Sequence, residues 1–248
     1  QENEDRQPIP YVLPPGIQRE RLQGTTTIQQ QNEQSVSTKI TDLQPGDTRA
    51  IFKNTTFDLR MYKKLQMFIH AEGKIGSIEV KDDDLLGIVR LGSDTDDNYY
   101  QIEIPLKITP FNASSADEIW PEENNVNAAI KNFGNLKLER QQVGAPVNEL
   151  YPLPQAGEVP EFRIRVKGNP NLANIRTIML GVKNVSFAPK SMELWYNALR
   201  VSDFDDKSSW AAIVNADANL ADFADLSLTG SMHTIGFGSL DQLVNERS

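Results

Sequence analysis

From Ser35 onward, short apolar runs alternate with polar residues and are separated by turn residues. Alternation with period two sends every second side chain to one face, so it predicts strands half-buried on a core. Val36, Thr38 and Ile40 share a face ahead of the turn Gln44–Asp47 (QPGD). Leu65, Met67, Ile69 and Ala71 alternate with Gln66, Phe68 and His70, in a strand bounded by Gly73 and Gly76. Leu86–Leu91 predicts a further strand, and so does Tyr99–Leu106, with Tyr100, Ile102 and Ile104 on one face. Phe162, Ile164 and Val166 predict another, with Arg163, Arg165 and Lys167 outward. Ile175–Val182 and Met192–Val201 complete the set. One helix interrupts it. Val126, Ala129, Ile130 and Phe133 stand at helical spacing within Asn124–Phe133, with Gly134 as the stop and a start as early as Asp117 as the longer version.

Short strands, polar turns and one helix predict a mainly β fold, a jelly-roll-like (galactose-binding-like) β-sandwich over residues 34–206. The long connections at 72–84 and 107–160 favour a jelly roll over a meander. Residues 1–33 differ. Pro8, Pro10, Pro14 and Pro15 favour extended backbone, and the Thr/Gln-rich stretch 23–34 has little to bury, so the segment reads as an arm or linker.

Residues 207–248 differ again. Ala212, Val214, Ala216, Ala218 and Leu220 alternate with Asn215, Asp217 and Asn219. After Asp222–Asp225 (DFAD), Leu226, Leu228, Gly230 and Met232 alternate with Ser227, Thr229, Ser231 and His233. Each run has the ~9–11 residues that a tilted strand needs to cross an outer membrane. The pair predicts an amphipathic hairpin, either the start of membrane-barrel strands or a hairpin packed on the sandwich. The chain begins at Gln1 and reads as a piece of a much larger protein.

Charge and composition narrow the function. The net charge is −9, and Lys and Arg form no cluster, which argues against nucleic acid as a partner. There is no cysteine, which excludes disulfides, thiolate metal sites and cysteine nucleophiles. The two histidines, His70 and His233, fall in different segments and outside any nucleophile or metal motif. No Gly-x-Ser-x-Gly elbow or Gly-rich phosphate loop is present. Carboxylates are scattered. The expectation is a non-catalytic protein with no resident cofactor.

Two acidic turns invite a metal test, Lys81–Asp84 and Gly92–Asn98. Alternating carboxylates in a loop are the donors calcium takes, which makes Asp94, Asp96 and Asp97 candidate calcium ligands. The run lacks the later glycine and the final Glu of an EF-hand loop, and acidic turns also form for local hydrogen-bonding reasons. Tyr99, Tyr100 and Trp120, with Trp195 and Tyr196, are candidates for a glycan- or partner-stacking platform if exposed, and otherwise core anchors.

Several segments taken in order resemble one family. They are Pro10–Ile17 (PYVLPPGI), Asn32–Ser35, Asp47–Ala50 with Phe52-Lys53, Asp58–Arg60 with Tyr62-Lys63, and Met67–Glu72 (MFIHAE). Next come Asn98–Tyr100 with Ile104–Leu106, Lys167–Pro170, Trp195–Arg200 (WYNALR), and Trp210–Ala212 leading into Ala221–Asp225. The series resembles the SprA/Sov family, the giant outer-membrane translocon of the Bacteroidetes type IX secretion system, linked in some members to gliding motility. The resemblance runs over nearly the whole chain, which spans a small part of a family member. It implies a large transmembrane barrel with soluble domains inserted between its strands, this chain being one of them, on the periplasmic or the extracellular side. The implied partners are the rest of the barrel, other secretion-system proteins and secreted cargo. The resemblance carries no catalytic residues over. The other expectation from the fold is a carbohydrate-binding jelly-roll module at the cell surface.

Overall fold

The computed structural model describes residues 6–17, 35–155, 158–204, 211–219 and 225–233. They fall into two units, Gln1–Asp203 and Phe204–Ser248.

The first unit is a sandwich of two antiparallel sheets. Its strands are β1 (Val36–Leu43), β2 (Thr48–Phe57), β3 (Tyr62–Gly73), β4 (Leu85–Gly92), β5 (Tyr99–Pro105), β6 (Val126–Ala129), β7 (Arg163–Lys167), β8 (Ile175–Asn184) and β9 (Lys190–Phe204). One sheet runs β1-β9-β3-β6, the other β2-β8-β4-β5-β7. The pairs β1/β9, β2/β8, β3/β6 and β4/β5 are nested one inside the next, each antiparallel. That nesting is the winding of a jelly roll, with β7 added beside β5.

The core follows the alternation. Leu65, Met67, Ile69 and Ala71 of β3 meet Met192, Leu194 and Tyr196 of β9 on one inner face. Val89 and Leu91 of β4, Tyr100, Ile102 and Ile104 of β5, and Val182 of β8 close it from the other. Burying such side chains contributes about 1.5–3 kcal/mol each.

The helical region departs from the sequence expectation. A short α1 (Ala116–Ile119) starts at Ser115, whose hydroxyl oxygen accepts from the Glu118 amide while the Glu118 carboxylate accepts from the Ser115 amide. Val126–Ala129, expected to be helical, is strand β6 and covers the edge of β3. The helix α2 runs over Ile130–Gln142, so Gly134 is interior and not a stop. Val126, Ala128 and Ile130 are spaced by two, so the same residues satisfy both periods. The open edge of β3 decides between them.

Strand β2 was not anticipated. Nearly all its side chains are exposed, so it shows no buried face to read. Arg165, expected outward, is 1% exposed. Tyr151 bridges to Val166, and the segment after it lies across the outer face of β7.

The arm also departs from a free linker. Residues 6–17 pack on the outer face of the four-stranded sheet, where Ile9 and Tyr11 join Phe68, Ile119, Trp120 and Trp195 in a second buried cluster. The rest of the 1–33 arm falls outside the described residues, apart from 6–17.

In the second unit, β10 (Ala211–Asn219) pairs with β11 (Asp225–His233), antiparallel and without a register break. Ala212 faces Met232, Val214 faces Gly230, Ala216 faces Leu228 and Ala218 faces Leu226. Ala212, Val214, Ala216 and Ala218 therefore share one face of the ribbon with Leu226, Leu228, Gly230 and Met232, while Ile213, opposite Ser231, falls on the other. Ile213, Val214 and Met232 are exposed. Among the described residues no helix is long and apolar enough to cross a membrane, which leaves crossing by strands untouched.

Candidate functional site

The most elaborate constellation of side chains lies where the arm crosses the outer face of β3 and β9. Phe68, His70 and Glu72 point outward from β3 because Met67, Ile69 and Ala71 point in, and Glu193, Trp195 and Asn197 do the same on β9. His70 stacks on Trp195 at 3.9 Å between centroids, and Trp120 closes the cluster 6.0 Å from each ring. The Trp120 indole N–H donates to the Val12 carbonyl at 2.8 Å, and the Asn197 amide donates to the Tyr11 hydroxyl at 2.7 Å.

The polar half is arranged around Arg6. Its guanidinium binds Glu72, binds Glu193 at 2.9 Å, and lies 4.8 Å over the Trp195 ring. Burial alone would raise the Glu72 pKa. Hydrogen bonds from His70 and Arg6, and their charges, outweigh it and leave the carboxyl below the ordinary 4.5. Glu193 follows the same pattern, with burial opposed by the Trp195 indole, Ser37 and Arg6, and it too is lowered. The His70 ring is held at both nitrogens. Nδ1 is 2.9 Å from the Ile119 carbonyl and 3.0 Å from the Thr109 hydroxyl, and Nε2 is 3.2 Å from Glu72. Every charged group in the cluster is engaged with another. Its chemistry is that of a clamp on the arm. Beside it opens a groove of about 850 Å³, lined by Arg6, Tyr11, Lys39, Glu72, Glu193 and Trp195.

The residues singled out from sequence fall elsewhere or inside. Trp120, Tyr99 and Tyr100 are 1%, 4% and 2% exposed. Trp120 anchors the arm, Tyr100 packs on Phe133 in the main core, and Tyr99 lies under Arg90 at 4.1 Å. They serve three separate places, so they form no common stacking face, which the carbohydrate-binding expectation requires. Trp195 and Tyr196 are also buried, on opposite faces of β9.

Asp94, Asp96 and Asp97 stand together in the β4–β5 loop, and Asp94 organises it. Its Oδ1 accepts from the amides of Asp96, Asp97 and Asn98, and its Oδ2 accepts from the Asn98 side chain. Asp97 pairs with Lys167 at 3.1 Å. Gly168 closes the loop from the other side. It sits at φ +66, and a Cβ there would lie 2.0 Å from the Asp97 carbonyl oxygen. Among the described residues no group of three or more His, Cys, Asp or Glu side chains is placed to hold a metal.

Partial burial pushes the Asp94 pKa up, and its donors more than reverse this and hold it at about 2, from an ordinary 3.8. Because the folded value is depressed, its stabilisation is complete above the unfolded pKa and is lost as pH falls through 2. Asp94→Ala is expected to lower stability by about 1–2 kcal/mol at neutral pH and to free the amides of residues 96–98 to exchange, read by urea unfolding and hydrogen exchange. Asp94→Asn, which keeps an acceptor without the charge, is expected to cost less and to remove this acid sensitivity.

A second polar network crosses the outer face of the five-stranded sheet. Arg90 donates to Gln101 at 2.7 Å, Gln101 to Glu103 at 2.6 Å, and Arg165 to Glu103 at 2.9 Å and to Glu158 at 2.6 Å. Neither this network nor the arm clamp was read from the sequence. The available signal was polar residues at outward positions directly opposite one another on paired strands.

No curated protein matches the sequence. The family model SprA_N, described as motility related/secretion protein, matches residues 1–248. The chain therefore belongs to the SprA_N family of motility related/secretion proteins.

Proposed function

We propose that this chain is a non-catalytic structural and interaction domain of the outer-membrane channel through which the type IX system secretes proteins. In this reading the sandwich supports or rims the pore, contacts other secretion-system proteins and passing cargo, and leads into barrel strands. The observation that carries it is the β10/β11 ribbon. Each strand is nine residues long, and the register sets Ala212, Val214, Ala216 and Ala218 on one face with Leu226, Leu228, Gly230 and Met232, against a mainly polar opposite face that carries Ile213. That length and sorting suit a strand pair with lipid on one side and water on the other. Family membership supports the secretion half of the reading.

The test is made in the full-length protein in cells. Arg at position 214, on the apolar face, is compared with Arg at position 215, on the polar face. Val214→Arg is expected to deplete the protein from the outer-membrane fraction and to leave cargo inside the cell, since a lipid-facing cation costs about 2–4 kcal/mol at the membrane midplane. Asn215→Arg is expected to be tolerated. Equal tolerance of both removes the barrel reading.

A further inference from the structure

Strand β2 is the edge of the five-stranded sheet, and among the described residues its only ladder is with β8. Pairing with β8 is regular from Thr48 to Asn54, a straight edge of roughly 23 Å at 3.3 Å per residue. Gly181 brings β8 close against it. A Cβ there would sit 2.7 Å from the Ala50 Cβ and 2.9 Å from the Arg49 carbonyl oxygen, so only glycine lets the two backbones approach this far. An edge of this length and exposure, with backbone donors and acceptors facing outward, is a template for a further strand.

The side chains say which strand. Arg49, Ile51 and Lys53 share one face of β2, and Ala50 and Phe52 share the other. Arg49 and Lys53 are exposed, and so is Phe52, at 68%. This basic pair stands on a chain of net charge −9. A second copy of β2 is the wrong occupant. Laid antiparallel and centred on Ile51, it would set Arg49 against Lys53 and Lys53 against Arg49, like charges directly opposite. A strand with acidic residues on that face and apolar residues beside Phe52 meets complementary partners on both.

We propose that the β2 edge is a docking site for an extended polypeptide segment of another protein, one that alternates acidic and apolar residues and adds to the five-stranded sheet by main-chain pairing. The full 248-residue chain is titrated with a capped peptide alternating Glu and Val, and separately with its Lys/Val counterpart, at low salt. Binding is read by fluorescence anisotropy, and its place by hydrogen exchange. The expected result is at least tenfold tighter binding of the Glu peptide, with new protection confined to residues 48–54. Arg49→Glu with Lys53→Glu is expected to reverse the preference, and Phe52→Ala to weaken the Glu peptide severalfold. Charge reversal at two exposed positions does not threaten the fold, and the reversed variant's gain of the Lys peptide also controls for folding. Equal affinity for both peptides, no binding by either, an unreversed preference, or protection outside β2 overturns the proposal. So does concentration-dependent dimerisation that protects β2.

Discussion

Arg165→Ala is expected to lower the unfolding free energy by about 3–5 kcal/mol. Arg165 is 1% exposed, and its guanidinium binds the carboxylate of Glu103, the carboxylate of Glu158 and the Pro152 carbonyl. Glu103 is itself buried. Truncating the arginine leaves that carboxylate in a poorly solvated place, with the Gln101 amide still donating to it. The cost is thus mostly that of an uncompensated charge, and not the net worth of the pair. Two companions separate these terms. Glu103→Gln in the Arg165→Ala background removes the stranded charge and is expected to recover more than half of the loss. Arg165→Met with Glu103→Leu replaces the whole pair by apolar groups of similar size and is expected to fall within about 1–2 kcal/mol of the parent. Chemical denaturation measures all three. A single mutant no less stable than the double would mean that the network is not buried in solution. Because Arg165 also ties residues 152 and 158 to β7, the same variant should let the 150–161 segment exchange its amides before the sheet does.

Legibility in the sequence followed burial. β3 and β5 were readable because one face of each enters the core, so Leu65, Met67 and Ile69, or Tyr100, Ile102 and Ile104, stand out against their neighbours. The ribbon β10/β11 was readable for a related reason: its alternation runs the length of β11 and holds on β10 from Val214 onward. β2 was not, since an overhanging edge strand buries neither face and carries no periodic trace of its pairing with β8. The misplaced helix came from Val126, Ile130 and Phe133. They lie at helical spacing, yet Val126 belongs to a strand and the other two to α2. The choice was made by β3, whose partner is some sixty positions away in sequence. Arg165, read as outward and exposed, was misplaced for the same cause. Whether an outward position is wet or covered depends on which distant segment lies over it, and periodicity within a strand is silent on that. The arm held one usable sign: Ile9 and Tyr11 are apolar residues spaced by two among prolines, and both are buried.

Taken together, the two covered outer faces change what the sandwich is for. A jelly roll that only needed to fold would bury its inner faces and leave its outer ones to water. Here residues 6–17 of the arm cover part of one sheet and residues 150–155 and 158–161 part of the other, each held by arginine–carboxylate contacts. Among what stays open are the groove beside Arg6 and the β2 edge. If the proposed interaction role holds, contact is expected to concentrate there.

Trp120→Ala is expected to cost about 3–5 kcal/mol, and to do so by releasing the arm and not by loosening the main core. The indole is 1% exposed, touches Tyr11, Phe68, His70 and Trp195, and donates to the Val12 carbonyl. Removing it takes the floor from under Ile9 and Tyr11, whose burial has no counterpart in the cluster between the sheets. With the arm loosened, Arg6 leaves Glu72 and Glu193, and the two carboxylates lose the cation that helps hold them below their ordinary value. Depressed carboxyls stabilise a fold above their unfolded pKa and lose that contribution as pH falls through the folded one. The parent protein should therefore shed its arm in acid, below the ordinary 4.5, while the variant, already without the contact, shows a flatter profile there. Hydrogen exchange over residues 6–17, run alongside urea unfolding, tests the division. Trp120→Phe keeps most of the apolar area and loses only the hydrogen bond, so it should cost about 1–2 kcal/mol and leave the arm docked. Full protection of residues 6–17 in Trp120→Ala would show that the arm is held by its ion pairs and remaining contacts without the indole. The aromatic cluster would then be a passive filler, with no part in fixing the arm to the sheet.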